Sequence, residues 1–279
     1  WFWYHRELLS CSLNLFYKYI DHSKQGVHKM INVFLKEQEE TVYLQQLIAD
    51  IRADHPTLNC KAMYYKIKPE CIGRDKFEKL CTTLGFNVVR SKARHITTDS
   101  SGVIRFDNLL KGTRLTGINQ AYSSDITYYE INNVFYYITF VIDCYSRRIL
   151  GHNVSQRLTT EMTTIPALKM AIKNRKNHLP QGIIFHSDGG GQYYSKTFLK
   201  LTSKYQFKNS MCEFSYDNGM VERLNGVIKN NYLKFKEIKT YPQLTKEVDQ
   251  IISLYNNDRP HKSLKYKTPN EYEIETLTL

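Results

Sequence analysis

Two β-type runs, "SDITYYEI" at 124–131 and "VFYYITFVID" at 134–143, are separated only by Asn132 and Asn133. Asparagine tolerates the positive φ of a two-residue turn, so this pattern specifies an antiparallel hairpin. A third run, "RRILGHNVS", follows the "DCYS" turn. The period then changes. Met162, Ile165, Leu168 and Ile172 recur at helical spacing, "GIIFHSD" at 182–188 reads as a short buried strand, and "SKTFLKLTSKYQF" is helical again. The order βββ-α-β-α-β-α predicts an α/β architecture, a mixed sheet covered by helices.

The helix that completes this series, "YDNGMVERLNGVIKNNYL" at 216–233, carries two stripes. With Asn218 as N-cap, Val221, Leu224 and Ile228 make the buried one. Glu222, Asn225, Gly226 and Lys229 make a second, roughly 100° further round. A helix resting on a core by its first stripe can hold its second over a sheet edge. Asp125 opens the first strand of this reading and Asp188 ends the fourth. If those strands are neighbours, both carboxylates share one edge and Glu222 reaches it from the helix. Hard Mg²⁺ ions about 3.5–4 Å apart require oxygen ligands of this kind. An exposed Glu beside a solvated Lys is the competing reading of the helix alone.

Other candidates carry structural readings. Asp143 ends the second strand and suits a turn cap, and Glu161 suits the first turn of a helix. His186 falls on the same side of its strand as Asp188. It reads first as a satisfied strand-end histidine and second as a residue that positions substrate. The "GGG" run at 189–191 allows a loop to approach a ligand closely.

Upstream, Leu44, Leu47, Ile48 and Ile51 mark a helix within 38–53, a shorter helical segment spans Asn59 to Ile67, and Phe77, Leu80, Cys81 and Leu84 mark another, with Gly85 at its C′ position. Helices around the "KPECIG" break suggest a helix-turn-helix. Its second helix would present Arg74, Asp75, Lys76 and Lys79 to phosphates and groove. Many small helical domains share the pattern. Residues 1–37 read as a helical segment, 38–90 as the helix-turn-helix region, 91–118 as a basic linker and 119–279 as the α/β core with a C-terminal tail.

Lys and Arg outnumber Asp and Glu by 39 to 27, a net charge of +12 that favours a polyanionic partner. The longest apolar run, 134–142, is too short to span a bilayer, and the N-terminus lacks a signal-peptide pattern, so the chain reads as cytoplasmic. The six cysteines form no C-x-x-C pair and read as reduced core thiols, and the histidines offer no zinc-module spacing. The chain does not begin with Met, which suits an excerpt or the downstream part of a fused product.

"SSDITYY", "VIDCYSRRILGH", "HSDGGGQYYS", "YDNGMVERLNGVIKNNYL" and "YNNDRPHKSLKYKTPNEY", in this order, resemble the frame B catalytic subunit of the IS-three family of insertion-sequence transposases. That family belongs to the retroviral-integrase-like DDE recombinases. The resemblance runs from about residue 40 to the end. It implies an RNase H-like core with a five-stranded mixed sheet, preceded by the small helical region. It also implies an acidic triad of Asp125, Asp188 and Glu222 holding two Mg²⁺ ions, with Mn²⁺ as substitute, and a DNA-facing Lys229. Asn225, His186, Arg74, Lys76 and Lys79 are the further DNA-contact candidates. The implied partners are double-stranded DNA at transposon ends and target, further copies of the chain on paired ends, and an upstream frame A product. A nucleoid-associated location follows. Tyr122 stands where the family usually has Trp. The Asp188–Glu222 spacing is slightly short, which places a shortened loop around "CEFSYD". The expected chemistry is metal-dependent cleavage and strand transfer. The rivals are a catalytically silent DNA-binding derivative and a structure-selective nuclease.

Overall fold

The structure, a computed structural model, describes residues 5–8, 10–88, 106–175, 179–212 and 218–278. The region of the expected loop shortening, 213–217, the last two residues of the expected helix-turn-helix region, 89–90, and residues 91–105 of the expected basic linker lie outside the described residues. A five-stranded sheet has the order β3-β2-β1-β4-β5, with β1 Ala121–Ile131, β2 Val134–Asp143, β3 Ile149–Ser155, β4 Ile184–Ser187 and β5 Lys208–Met211. β1 and β2 pair antiparallel from Tyr122↔Asp143 to Ile131↔Val134. Their connection holds Asn132 at φ 51° and Asn133 at φ 63°, the two left-handed residues of a type I′ turn. β4 joins β1 in parallel, ending on Ser124↔Ser187, and β5 joins β4 in parallel.

β1 starts at Ala121, so Asp125 lies within the strand and does not open it. In residues 121–124, Ala-Tyr-Ser-Ser, only Tyr122 favours a strand, so the β signal of the run is weak. Pairing with both β2 and β4 overrides that propensity.

Helices cover both faces. α7 (Gly219–Asn231) and α8 (Tyr241–Asn257) pack through Val221, Leu224, Ile228, Leu244 and Val248 onto Ile138, Phe140 and Ile142. α5 (Thr164–Asn174) and α6 (Lys196–Lys204) cover the other face over Tyr122, Val141, Leu150 and Phe185. α5 rests almost on the backbone of β3: a Cβ at Gly151 would lie 2.1 Å from the Ala167 carbonyl oxygen. The C-terminal tail is therefore largely helical. α8 is followed by α9 (Pro269–Thr278), whose buried Glu273 accepts from Ser146 Oγ at 2.6 Å and pairs with Arg148 and Arg175.

In the N-terminal region α1 (Leu13–Tyr19) precedes α2 (Lys24–Asp54), α3 (Cys60–Ile67) and α4 (Arg74–Thr83). α2 passes through residues 37 and 38 unbroken, so no structural boundary falls there; Ser23 caps its start by accepting from the Gly26 N–H at 3.0 Å. α4 ends in a Schellman motif. Gly85 takes φ 75°, Gly85 N donates to Thr82 O, and Phe86 N donates to Cys81 O. Leu44, Ile48, Leu58, Met63, Phe77 and Cys81 form the core of this region.

Buried His55 ties it to the sheet domain, with Nδ1 2.7 Å from the Tyr232 hydroxyl and Nε2 2.7 Å from Asp258. Burial holds the His55 pKa below its ordinary value, so the Asp258 contact is a hydrogen bond to a neutral ring. Lys66 supplies the charge partner of Asp258, and Tyr65 stacks on Tyr266 at 4.1 Å. None of the six cysteines is in a disulfide; Cys81, Cys144 and Cys212 are buried, whereas Cys11 and Cys71 are exposed outside any core. Among the described residues no helix is long and apolar enough to cross a membrane.

Candidate active site

The β1–β4 register ends at Ser124↔Ser187, so Asp125 within β1 and Asp188, the first residue beyond β4 rather than its last, occupy the next positions along two adjacent strands. Neighbouring strands lie about 4.8 Å apart. Asp125 faces the side of the sheet that α7 covers. Ser123 on the same face donates to Asn218 Oδ1 at 2.6 Å, and Asn225 Nδ2 donates to Asp125 Oδ2 at 2.7 Å. Asn225 therefore fixes α7 against β1 at the level of the carboxylate, and Glu222 stands one turn nearer the start of the helix.

Burial pushes the Asp125 carboxyl up to about 8, and the charges of Asp188 and Glu222 push the same way, against hydrogen bonds from Ile126 N and Asn225. Burial also raises Asp188, opposed by the Gly190 N–H 3.1 Å from its Oδ1. The two behave as a coupled pair: Asp188 ionises first, and its charge then helps to retain the proton on Asp125. Among the described residues no Lys or Arg figures among the groups that offset either carboxylate. Glu222 lies on the exposed face of α7. Among the described residues no three His, Cys, Asp or Glu side chains converge tightly enough to hold one ion. The donors are hard carboxylate oxygens, which suit a divalent cation, but they form an open set.

Lys229 is half-buried with Nζ 4.6 Å above the Tyr128 ring, and burial lowers its pKa. Two DNA-contact expectations meet burial. Asn225 is 8% exposed and bonded to Asp125, with its Oδ1 lacking a hydrogen-bond partner. His186 is 1% exposed on the rung opposite Ser123, its Nδ1 2.9 Å from Ser210 Oγ. Side chains this deep support the sheet and the carboxylate rather than meeting a groove. Arg74, Lys76 and Lys79 are exposed on α4, with Arg74 paired to Asp75 at 2.8 Å. Asp143 caps its turn, accepting from Tyr145 N, Ser146 N and Asn119 N. Glu161 precedes α5 instead of lying in its first turn, and accepts from Thr197.

Residues 116–215 match a family model described as Integrase core domain, and 204–269 match a second model of the same description. The chain is 27% identical over 84% of its length to the Insertion element IS600 uncharacterized 31 kDa protein of Shigella sonnei, covering 87% of it. It is 30% identical over 58% of its length to Transposase InsF for insertion sequence IS3A of Escherichia coli (strain K12), covering 56% of that protein. The chain belongs to the IS3 family of transposases. The fold agrees with that of a simian T-cell lymphotropic virus intasome structure solved in complex with PP2A regulatory subunit B56 gamma. The TM-score is 0.50 at 17% identity, over 81% of this chain and 74% of that one. The sheet is thus an RNase H-like integrase core preceded by an all-helical region.

One residue of this transposase core has a duty other than the one its sequence position suggests, and a second carries no sequence expectation. Asn218 starts α7 but makes no side-chain cap bond; its amide instead bridges Ser123 and the Ser124 carbonyl. Ser124 Oγ, which the sequence did not single out, donates to Phe140 O and meets the Tyr193 hydroxyl at 2.9 Å. A serine pair flanking a candidate carboxylate was the only available signal.

Proposed function

We propose that this transposase cuts and joins DNA at the terminal inverted repeats of its insertion sequence, with Asp125, Asp188 and Glu222 as metal ligands. The observation that carries this reading is the neighbouring, half-buried pair Asp125 and Asp188, which has no Lys or Arg ion pair among the described residues, with Asp125 also feeling the charge of Glu222. Mg²⁺ held there, with Mn²⁺ as substitute, would activate water or a 3′-hydroxyl and neutralise charge in an in-line phosphoryl displacement. Asn225 orients the Asp125 carboxylate. Lys229, at the rim of the site beside β1, meets the DNA backbone. Arg74, Lys76 and Lys79 on α4 take phosphates as part of a helix-turn-helix within 38–90, and the 91–118 linker adds further contacts. Copies of the chain act together on paired ends, with an upstream frame A product as a further partner, in the cytoplasm at the nucleoid.

The open donor set is the observation that favours the rival, a catalytically silent DNA-binding derivative. Metal titration separates the two. Asp125 carries a proton below about pH 8, and a ligating carboxylate must lose it. Adding Mg²⁺ or Mn²⁺ to DNA-free protein at pH 7 should therefore release protons and raise the thermal midpoint. Neither change occurring at millimolar metal would favour the silent derivative.

A further inference from the structure

The flank of α7 opposite Glu222 builds a second surface. Met220, Arg223, Leu224 and Val227 line one wall of a cleft of about 470 Å³, the segment after α8 lines another, the start of α3 a third, and Arg147 from the β2–β3 turn a fourth. Lys61, Arg147, Arg223, Arg259 and Lys262 all line it, and among the described residues no Asp or Glu does. Among the described residues the Lys and Arg ion pairs with carboxylates involve other side chains. Arg259 is held by the Tyr232 hydroxyl at 3.3 Å and lies over that ring. Burial, then Arg259 and Arg147, push His261 down to about 3, so the ring is neutral at pH 7 and feels the field of its neighbours.

Like charges gathered without counter-charges raise the energy of the free protein and lower that of a complex with a polyanion. A cleft serving only to join elements gains from pairing its cations, as Lys66 and Asp258 do nearby. Lys and Arg side chains commonly take phosphate oxygens, and contacts of that kind position the duplex without reading its sequence. At 100° per residue, the Met220–Arg223–Leu224–Val227 stripe lies roughly 180° round α7 from the Glu222–Asn225–Lys229 stripe. The helix between them is about 10–12 Å across, or about three nucleotides at 3.4 Å rise.

We infer that this cleft holds the sugar-phosphate backbone of the transposon-end DNA about three nucleotides from the scissile phosphate, with Arg223 and Lys262 as its outer contacts and α7 as the ridge between. The inference rests on the transposase reading. The test uses the full chain with Arg223→Gln and Lys262→Gln, singly and together, whose thermal midpoints serve as a folding check. Binding of an oligonucleotide duplex carrying the element's end is measured against salt, alongside Mg²⁺-dependent nicking. Each neutralised contact should make the slope of log K against log salt shallower by about one. The double variant should then lose about tenfold less affinity than wild type between 50 and 200 mM salt. Trimming the duplex to two nucleotides beside the cleavage site should erase the difference between variants and wild type. An unchanged slope, or a difference that survives trimming, overturns the inference. If wild type binds without nicking while the variants shift the slope, the cleft stands and the catalytic reading fails. If wild type binds no DNA even at low salt, both fall.

Discussion

Asp125 is shaped by three neighbours, and its titration is where they can be read. Its folded pKa of about 8 stands far above the unfolded value of about 3.9. Between about pH 4 and pH 8 the unfolded chain has released this proton and the folded chain keeps it, so stability falls as pH rises through that window. Asp188, raised in the same direction, adds to the slope. Asp125→Asn removes the largest part. In metal-free buffer its stability relative to wild type should grow by a few kcal/mol from pH 5 to pH 8. Denaturation curves at the two pH values check this, and a constant difference contradicts it. At this scale the sequence exposes residue type and face, not depth. Glu222 and Lys229 were legible from one helical stripe. The burial of Asn225 was not, because it depends on where α7 crosses β1; His186 agrees with its first reading as a satisfied histidine in a buried strand.

Elements were legible where local chemistry and tertiary pairing agree. Asn132–Asn133 between β-branched runs leaves little choice but a hairpin, and Gly85 after an apolar period leaves little choice but a helix end. Where the two disagree, boundaries shift. Ala121–Ser124 becomes strand because it has partners on both sides, and α2 continues back to Lys24 although Met30, Val33 and Phe34 stay exposed. The period of α8, Leu244, Val248, Ile251, Ile252 and Tyr255, was present in the sequence and reads plainly as a core helix. Two glycines separate steric from conformational demand. A Cβ at Gly151 would meet backbone atoms of Ala167 and Ala171 at 2.1 and 2.7 Å, so Gly151→Ala should cost about 2 kcal/mol or more. Gly85 has open space but φ 75°, so Gly85→Ala should cost about 1 kcal/mol. Chemical denaturation ranks them, and equal costs would mean that α5 does not press on β3 as described.

The whole molecule is two regions joined through His55, Lys66, Tyr232 and Asp258, contacts no local pattern could announce because they span some 170 to 200 residues of chain. Their effect is to hold α3 against the sheet domain, so that the helical region and the "RPHKS" segment line one cleft while α7 offers Glu222 on its other side. The central claim is that this body performs metal-dependent DNA chemistry through Asp125, Asp188 and Glu222. Glu222→Gln keeps shape and removes the charge a hard cation requires. The deciding measurement is a paired assay of Glu222→Gln and wild type, end-DNA binding beside Mg²⁺-dependent nicking of the same oligonucleotide. The account predicts nicking reduced by about 100-fold or more with binding within about threefold of wild type. Nicking at the wild-type rate would show that Glu222 is a solvated helix residue and not a ligand.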